Sequence, residues 1–151
     1  MFLQNLEKAA EMAAVKGIVL GFETMETEFM NTVWKSMFYV RQVDSPYLGV
    51  YPDSGNLTNA ALAGKTGVLD DLDSGRGHIV ALHLKETVPG VFREVPFLTG
   101  HVDFPAVIDK AWSLGVRRYV TEMWYTGNDD TWAGDIRFAC SHMKELLDQH
   151  R

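Results

Sequence analysis

The 151-residue chain has one cysteine, Cys140, which excludes an intramolecular disulfide and fits a reducing compartment. It has no long apolar run. Stretches such as residues 18–22 fall far short of the roughly 20 residues that span a bilayer. Basic residues are scarce: 14 Lys and Arg stand against 20 Asp and Glu, for a net charge of −6. That balance argues against a nucleic-acid partner, whose phosphates are met by basic surfaces. It leaves room for a small basic pocket holding one phosphate. The N-terminus carries Glu7, Lys8 and Glu11 among alanines, where a secretory leader would have a basic start and an unbroken apolar stretch. A cytoplasmic protein with no membrane contact is expected. No repeat, charge block or low-complexity tract marks a boundary, so residues 1–151 read as one domain. With 46% hydrophobic and 23% charged residues, that domain can bury a core.

What is present is an alternation. Leu3, Leu6, Ala10, Ala13 and Ala14 recur at helical spacing, and Gly17 stops the helix. Residues 18–22 then read as a buried strand ending on Glu23. Met30, Val33, Trp34 and Met37 mark a helix that closes near Val43. A second strand at 47–51 ends at Pro52-Asp53, and a helical stretch at 57–73 is broken near Gly64 or Gly67. A third strand covers 78–84 and passes through His83. Asp103 caps a helix with Pro105 in its first turn and Gly115 past its end. A fourth strand at 118–123 contains Glu122, and Trp132, Ile136, Cys140, Met143 and Leu147 stripe the final helix. Strands alternating with helices predict a parallel sheet with right-handed crossovers. The connection at 86–102 is long for a compact domain, and such loops are usually functional.

Glu23, Asp53, His83 and Glu122 each fall at or near the C-terminal end of a different strand. In parallel α/β folds that edge is where ligands bind. Three carboxylates and an imidazole gathered there would repel one another without a cation, and a divalent metal resolves this. Taken singly, each residue has a plainer reading. Glu23 suits a helix start, Asp53 a turn beside Pro52 and Gly55, and His83 a hydrogen-bonded core position. Glu122, inside Val-Thr-Glu-Met-Trp, is hardest to explain structurally, because an unpaired buried carboxylate costs several kcal/mol or shifts its pKa. The occurrence of one per unit favours the metal.

Six motifs in order carry a family resemblance. They are Gly21-Phe22-Glu23-Thr24-Met25-Glu26, Tyr51-Pro52-Asp53-Ser54-Gly55-Asn56-Leu57, Gly77-His78-Ile79-Val80-Ala81-Leu82-His83-Leu84-Lys85, Pro89-Gly90-Val91-Phe92, Val95-Pro96-Phe97 and Thr121-Glu122-Met123-Trp124. Together they resemble the L-ribulose-5-phosphate 3-epimerases of the xylose isomerase-like barrels, among whose relatives are hexulose-6-phosphate isomerases.

The resemblance implies an α/β fold, the C-terminal half (about four βα units) of a (β/α)8 TIM barrel. It implies metal ligands at Glu23, Asp53, His83 and Glu122, with Glu23 and Glu122 as the acid–base pair of an epimerisation through an enediolate. The implied cofactor is a divalent metal (manganese, magnesium or cobalt, with zinc also compatible), and the implied substrate is a small ketose phosphate. After Pro-Phe the family usually has a Gly-acid-Gly run, where this chain reads Leu98-Thr99-Gly100-His101. Lys85, Arg93 and His101 are the candidate phosphate contacts; Asn56 and Trp124 are candidate pocket-lining residues. Lys85 also reads as a surface residue or one supporting the ligands, Asn56 as a helix cap and Trp124 as packing.

Two alternatives stand beside the epimerase. One is an aldose–ketose isomerase of a hexulose phosphate. The other is a non-catalytic, metal-binding half-barrel that self-associates through exposed sheet edges, the rest of the barrel being supplied by a second copy or by a missing N-terminal half. Other signals carry less. Gly64-Lys65-Thr66 lacks the glycine of a nucleotide-binding loop, since Asn59 stands there. Asp70, Asp71 and Asp73 lack calcium-loop spacing and read as a solvated helix end. Cys140 reads as a small core residue.

Overall fold

Ala10 and Ala13 are buried along one line of α1 (Phe2–Lys16), and Gly17 ends that helix in the left-handed conformation at φ 66°. The Gly17 N–H returns to the Ala13 and Ala14 carbonyls, so the helix end is satisfied. The computed structural model describes residues 1–150. Beyond α1 the chain alternates as predicted: β1 (Leu20–Glu23), α2 (Val33–Val43), β2 (Leu48–Tyr51), α3 (Ser54–Gly64), α4 (Val68–Ser74), β3 (Leu82–Leu84), α5 (Phe104–Ser113), β4 (Tyr119–Thr121) and α6 (Trp132–Asp148). The stretch at 57–73 is two helices, divided where Lys65 turns left-handed at φ 53°. Met30 is buried ahead of α2 rather than within it, and Trp34 faces outward. No helix among the described residues is long and apolar enough to cross a membrane.

The four strands pair in parallel. β1 joins β2, β3 joins β4, and isolated bridges Val50–Ile79 and Asp53–His83 connect the two pairs. The spatial order is therefore β1-β2-β3-β4, an arc of a parallel barrel wall. The two bridges are out of step by one residue. Residues 79–83 hold one more residue than 50–53 opposite, which makes a β-bulge around Ala81. This is why the strand expected over 78–84 is regular only at its end. Val80 packs beside Gly21 and Gly49 on the inner face, where a Cβ on Gly49 would collide with His78 O and Val80. Simple alternation from Val80 would send His83 outward to the helices. The extra residue turns it back inward and leaves Leu82 and Leu84 fully buried on the helix side.

The core lies between the outer face of the sheet and the helices. Leu48, Val50, Leu82 and Leu84 from the strands meet Val33, Met37, Val40, Leu57, Leu72, Phe104, Ile108 and Met143. Burying side chains of this size contributes about 1.5–3 kcal/mol each before conformational entropy is subtracted. Asp71, expected to be a solvated helix end, instead accepts hydrogen bonds from Val33 N (2.8 Å) and Trp34 N (3.0 Å), reaching from α4 to the start of α2 beside its N-cap Thr32. Its burial pushes the carboxyl pKa up, against the pull of those two N–H groups.

Two apolar expectations are corrected. Cys140 is exposed, and so are Trp132 and Ile136. The face of α6 that packs onto the core runs through Ala139 and Met143, because α5 and β4 cover that side of the helix and nothing among the described residues covers the other. β1 is also less buried than expected, with Ile18 and Val19 more than half exposed, since only β2 flanks it.

Candidate metal centre

The four strand-end residues meet on the inner face. Asp53 follows Pro52 at the end of β2, and its Oδ1 accepts the Asn56 N–H (2.7 Å) that starts α3. One carboxylate oxygen thus serves as the helix cap and the other, Oδ2, is left buried without a hydrogen bond. Thr24, next to Glu23 and fully buried, accepts the Asp53 N–H on its Oγ1 at 2.9 Å. Glu122 follows β4, and its N–H bonds to Leu84 O at 2.9 Å, continuing the ladder one residue past the strand.

His83 Nδ1 lies 3.2 Å from Glu23 Oε1 and 3.2 Å from Glu122 Oε2. It is buried and makes no hydrogen bond with either. An imidazole nitrogen and two carboxylate oxygens this close, without hydrogen-bond geometry, are donor atoms aimed at a common point. One donor atom from each of Glu23, Asp53, His83 and Glu122 lies within 4.8 Å of the others. The two orphaned buried atoms, Asp53 Oδ2 and His83 Nδ1, belong to this same cluster. Buried polar atoms are rarely left unpaired, and a divalent cation would satisfy both at once. The donor set of three carboxylates and one imidazole fits such an ion.

Lys85 supplies the fixed positive charge. It is 4% exposed, and its Nζ lies 2.9 Å from Asn56 Oδ1, 3.3 Å from Asp53 Oδ1 and 3.7 Å from Glu122 Oε1. Ser54 Oγ holds its backbone on both sides, accepting from Lys85 N (2.9 Å) and donating to Lys85 O (3.0 Å). Burial pushes the Asp53 carboxyl above the usual carboxylate range, and the Lys85 ammonium and Asn56 N–H pull it back. Asn56 is fully engaged: Oδ1 faces Lys85, and Nδ2 donates to Thr24 O at 2.7 Å.

The remaining candidates lie further out. Trp124 donates its Nε1–H to Glu122 Oε1 at 3.1 Å. Arg93 stacks on the Trp124 ring, its Cζ 4.4 Å from the centroid, and its Nε donates to Glu26 Oε1 at 2.7 Å. His101 is not part of the cluster; its Nε2 meets Thr87 Oγ1 at 3.1 Å at the base of the long loop. That loop is organised by Glu86, a buried carboxylate that accepts from Thr87 N, Leu98 N and Val102 N at 3.0–3.2 Å. Gly100 passes so close that any Cβ there would strike the Glu86 carboxylate and Thr87 O.

Several supporting residues had no signal as such in the sequence reading. Tyr51 tilts over the His83 ring with centroids 4.1 Å apart, and burial, then Glu23 and Glu122, raise its phenol pKa. Its place at the end of β2, two residues before Asp53 in extended chain, put it on the site face, a signal the period of two could have given. Thr24, Ser54 and Glu86 act through backbone partners distant in sequence, which no spacing reveals.

Residues 1–146 match the model of the xylose isomerase-like TIM barrel family. The chain is 36% identical over 147 residues to an L-ribulose-5-phosphate 3-epimerase UlaE of Shigella flexneri, covering 97% of this chain and 50% of the relative. It is 37% identical over 130 residues to its namesake from Escherichia coli (strain SE11), covering 85% and 44%. A solved xylose isomerase domain protein from Planctomyces limnophilus superposes with a TM-score of 0.80 at 19% identity, covering 97% of this chain and 53% of that one. The chain spans about half the length of the curated relatives it matches.

Proposed function

The chain belongs to the xylose isomerase-like TIM barrel family, and from that premise we propose that it carries the metal and acid–base centre of a 3-epimerase acting on a ketopentose phosphate. The observation that supports this most is the convergence of Glu23, Asp53, His83 and Glu122 donor atoms within 4.8 Å, with Asp53 Oδ2 and His83 Nδ1 unbonded. The substrate class follows the names of the curated relatives, which are L-ribulose-5-phosphate 3-epimerases.

Epimerisation beside a ketone removes a proton from one face of a carbon and returns one to the other, which asks for two acid–base groups. Glu23 enters from β1 and Glu122 from the end of β4, the two outer strands of the arc, with His83 Nδ1 between them. Glu122 is steadied by Trp124 Nε1 and faces Lys85, whereas Glu23 Oε2 has no hydrogen-bond partner among the described residues. Glu23 and Glu122 would divide the removal and return of the proton. Tyr51 walls His83 on the inner face, and Thr24 and Asn56 hold Asp53 in place. A divalent cation held by Glu23, Asp53, His83 and Glu122 supplies Lewis-acid polarisation of the ketone. Manganese, magnesium and cobalt suit this oxygen-rich donor set, and zinc is the fourth choice.

The test is a calorimetric titration of metal-stripped chain with manganese, with a Glu122→Gln/His83→Ala double variant as control. Product analysis of L-ribulose 5-phosphate by NMR follows. One-site binding that the double variant loses, with a second ketose as product, is the expected result. An aldose product would replace epimerisation with isomerisation. Metal binding without turnover would leave a metal-binding half-barrel, and a folded chain that takes no manganese would remove the reading altogether.

A further inference from the structure

We infer that Tyr51 is a positioning residue of the metal centre: its ring, stacked on the His83 imidazole, fixes the direction in which Nδ1 points. This rests on the metal reading above. His83 Nδ1 lies 3.2 Å from one oxygen each of Glu23 and Glu122 and is hydrogen-bonded to neither. The angle of the imidazole therefore decides whether these three donor atoms share one point. A ligating histidine ordinarily settles that angle by donating its second ring N–H to a carboxylate or a carbonyl. Nε2 of His83 has no such partner among the described residues. What lies against the ring is Tyr51, with 4.1 Å between centroids and 33° between planes.

Tyr51 is itself held by the sheet. It closes β2 in register with Glu23 on β1, while the bridge on the other side sets His83 level with Asp53. The two rings thus project from adjacent strands onto the inner face, where cross-strand neighbours pack. Gly21 gives Tyr51 its seat: a Cβ there would come within 3.0 Å of Tyr51 Cβ and 2.8 Å of Val80 Cγ2. Neither can swing aside freely, since a Cβ is fixed to the backbone and a β-branched valine is stiff. A flat, stiff ring seated at its root makes a better wall for an imidazole than a flexible aliphatic chain. The role does not call on the phenol hydroxyl, which makes no hydrogen bond among the described residues.

The competing reading is that Tyr51 only fills space on the inner face, in which case a leucine would serve as well. Tyr51→Phe keeps the flat face, and Tyr51→Leu keeps much of the bulk without it. Tyr51→Met takes the place of the leucine variant should that one not fold. Manganese affinity is read by calorimetry. Ring mobility is read in chelator, without metal, by carbon relaxation at the His83 Cε1–H bond. We expect Tyr51→Leu to weaken manganese binding by about 10–100-fold and Tyr51→Phe by less than about threefold. The His83 ring should be as rigid in Tyr51→Phe as in the wild type and looser in Tyr51→Leu. Equal affinity losses in the two variants would overturn the assignment. So would undiminished manganese affinity in Tyr51→Leu, or a His83 ring as rigid there as in the wild type. A wild-type chain that takes no manganese would sink the metal reading, and the relaxation comparison would still decide whether Tyr51 orders the imidazole.

Discussion

Glu122 and Lys85 lie 3.7 Å apart in the same cluster and should respond in opposite ways to losing their charge. Three carboxylates there face one ammonium, so the metal-free cluster carries an excess of negative charge that Glu122→Gln relieves. The amide still accepts the Trp124 N–H on its oxygen. We expect its thermal midpoint in chelator to stay level or rise, while manganese affinity falls by about a hundredfold or more. Lys85→Met should do the reverse. It leaves a fully buried Asp53 carboxylate without its cation, and breaking a buried pair by removing one partner costs about 3 kcal/mol. Added manganese should recover part of that loss, because a ligand that binds only the folded chain stabilises it by mass action. Denaturant titrations of both variants with chelator and with manganese would decide, and a Glu122→Gln protein destabilised as much as Lys85→Met would contradict the charge argument. At this scale the convergence of Glu23, Asp53, His83 and Glu122 was legible in the sequence because each lies at or near the end of a β-rich run. The role of Lys85 was open, since only burial distinguishes a phosphate contact from an internal counter-charge.

The helix–strand alternation was also legible, because apolar spacing of 3.6 and short β-branched runs are local properties. Three features were not. The bulge at Ala81 depends on which β2 residue faces which β3 residue, yet it is what turns His83 toward Asp53. The buried side of α6 depends on where α5 and β4 lie, so of the sequence stripe Met143 and Leu147 meet the core while Trp132, Ile136 and Cys140 stay exposed. Thr32 caps α2 locally, but the Val33 and Trp34 N–H groups are taken by Asp71, 38 positions beyond Val33 in sequence. That last feature can be measured. Asp71→Ala removes the acceptor of two helix-start N–H groups and should cost about 1 kcal/mol, typical of a lost cap. The raised pKa of Asp71 shows that its burial offsets part of the gain, which keeps the expected loss modest. Asp71→Asn, retaining one acceptor, should lose less. Neither change touches the cluster, so manganese affinity should be unaltered in both; a parallel loss of metal binding would mean that α2 helps to position Glu23.

As a whole the described chain is an arc with two open flanks. β1 and β4 are its outer strands, each hydrogen-bonded to a strand on one side only. Large apolar side chains are exposed toward both ends of the chain: Phe2, Ile18, Val19 and Phe29 near β1, and Trp124, Trp132, Ile136 and Phe138 beyond β4. A monomer rarely leaves that much apolar surface beside unpaired strand edges, because both invite another chain. The structures it superposes on are nearly twice as long, so in them further chain is available to cover such flanks. For this chain on its own, a second copy related by a twofold axis would set β4 of each against β1 of the other, in parallel, and close both edges at once. We therefore expect self-association in sedimentation velocity, with one manganese bound per chain because each copy holds a complete donor set. An Ile136→Lys/Phe138→Lys pair on the exposed side of α6 should shift the chain toward monomer and leave metal stoichiometry unchanged. A wild-type chain that sediments as a single well-behaved monomer would show that the open edges are tolerated, and the paired-arc arrangement would then be abandoned without any consequence for the metal centre.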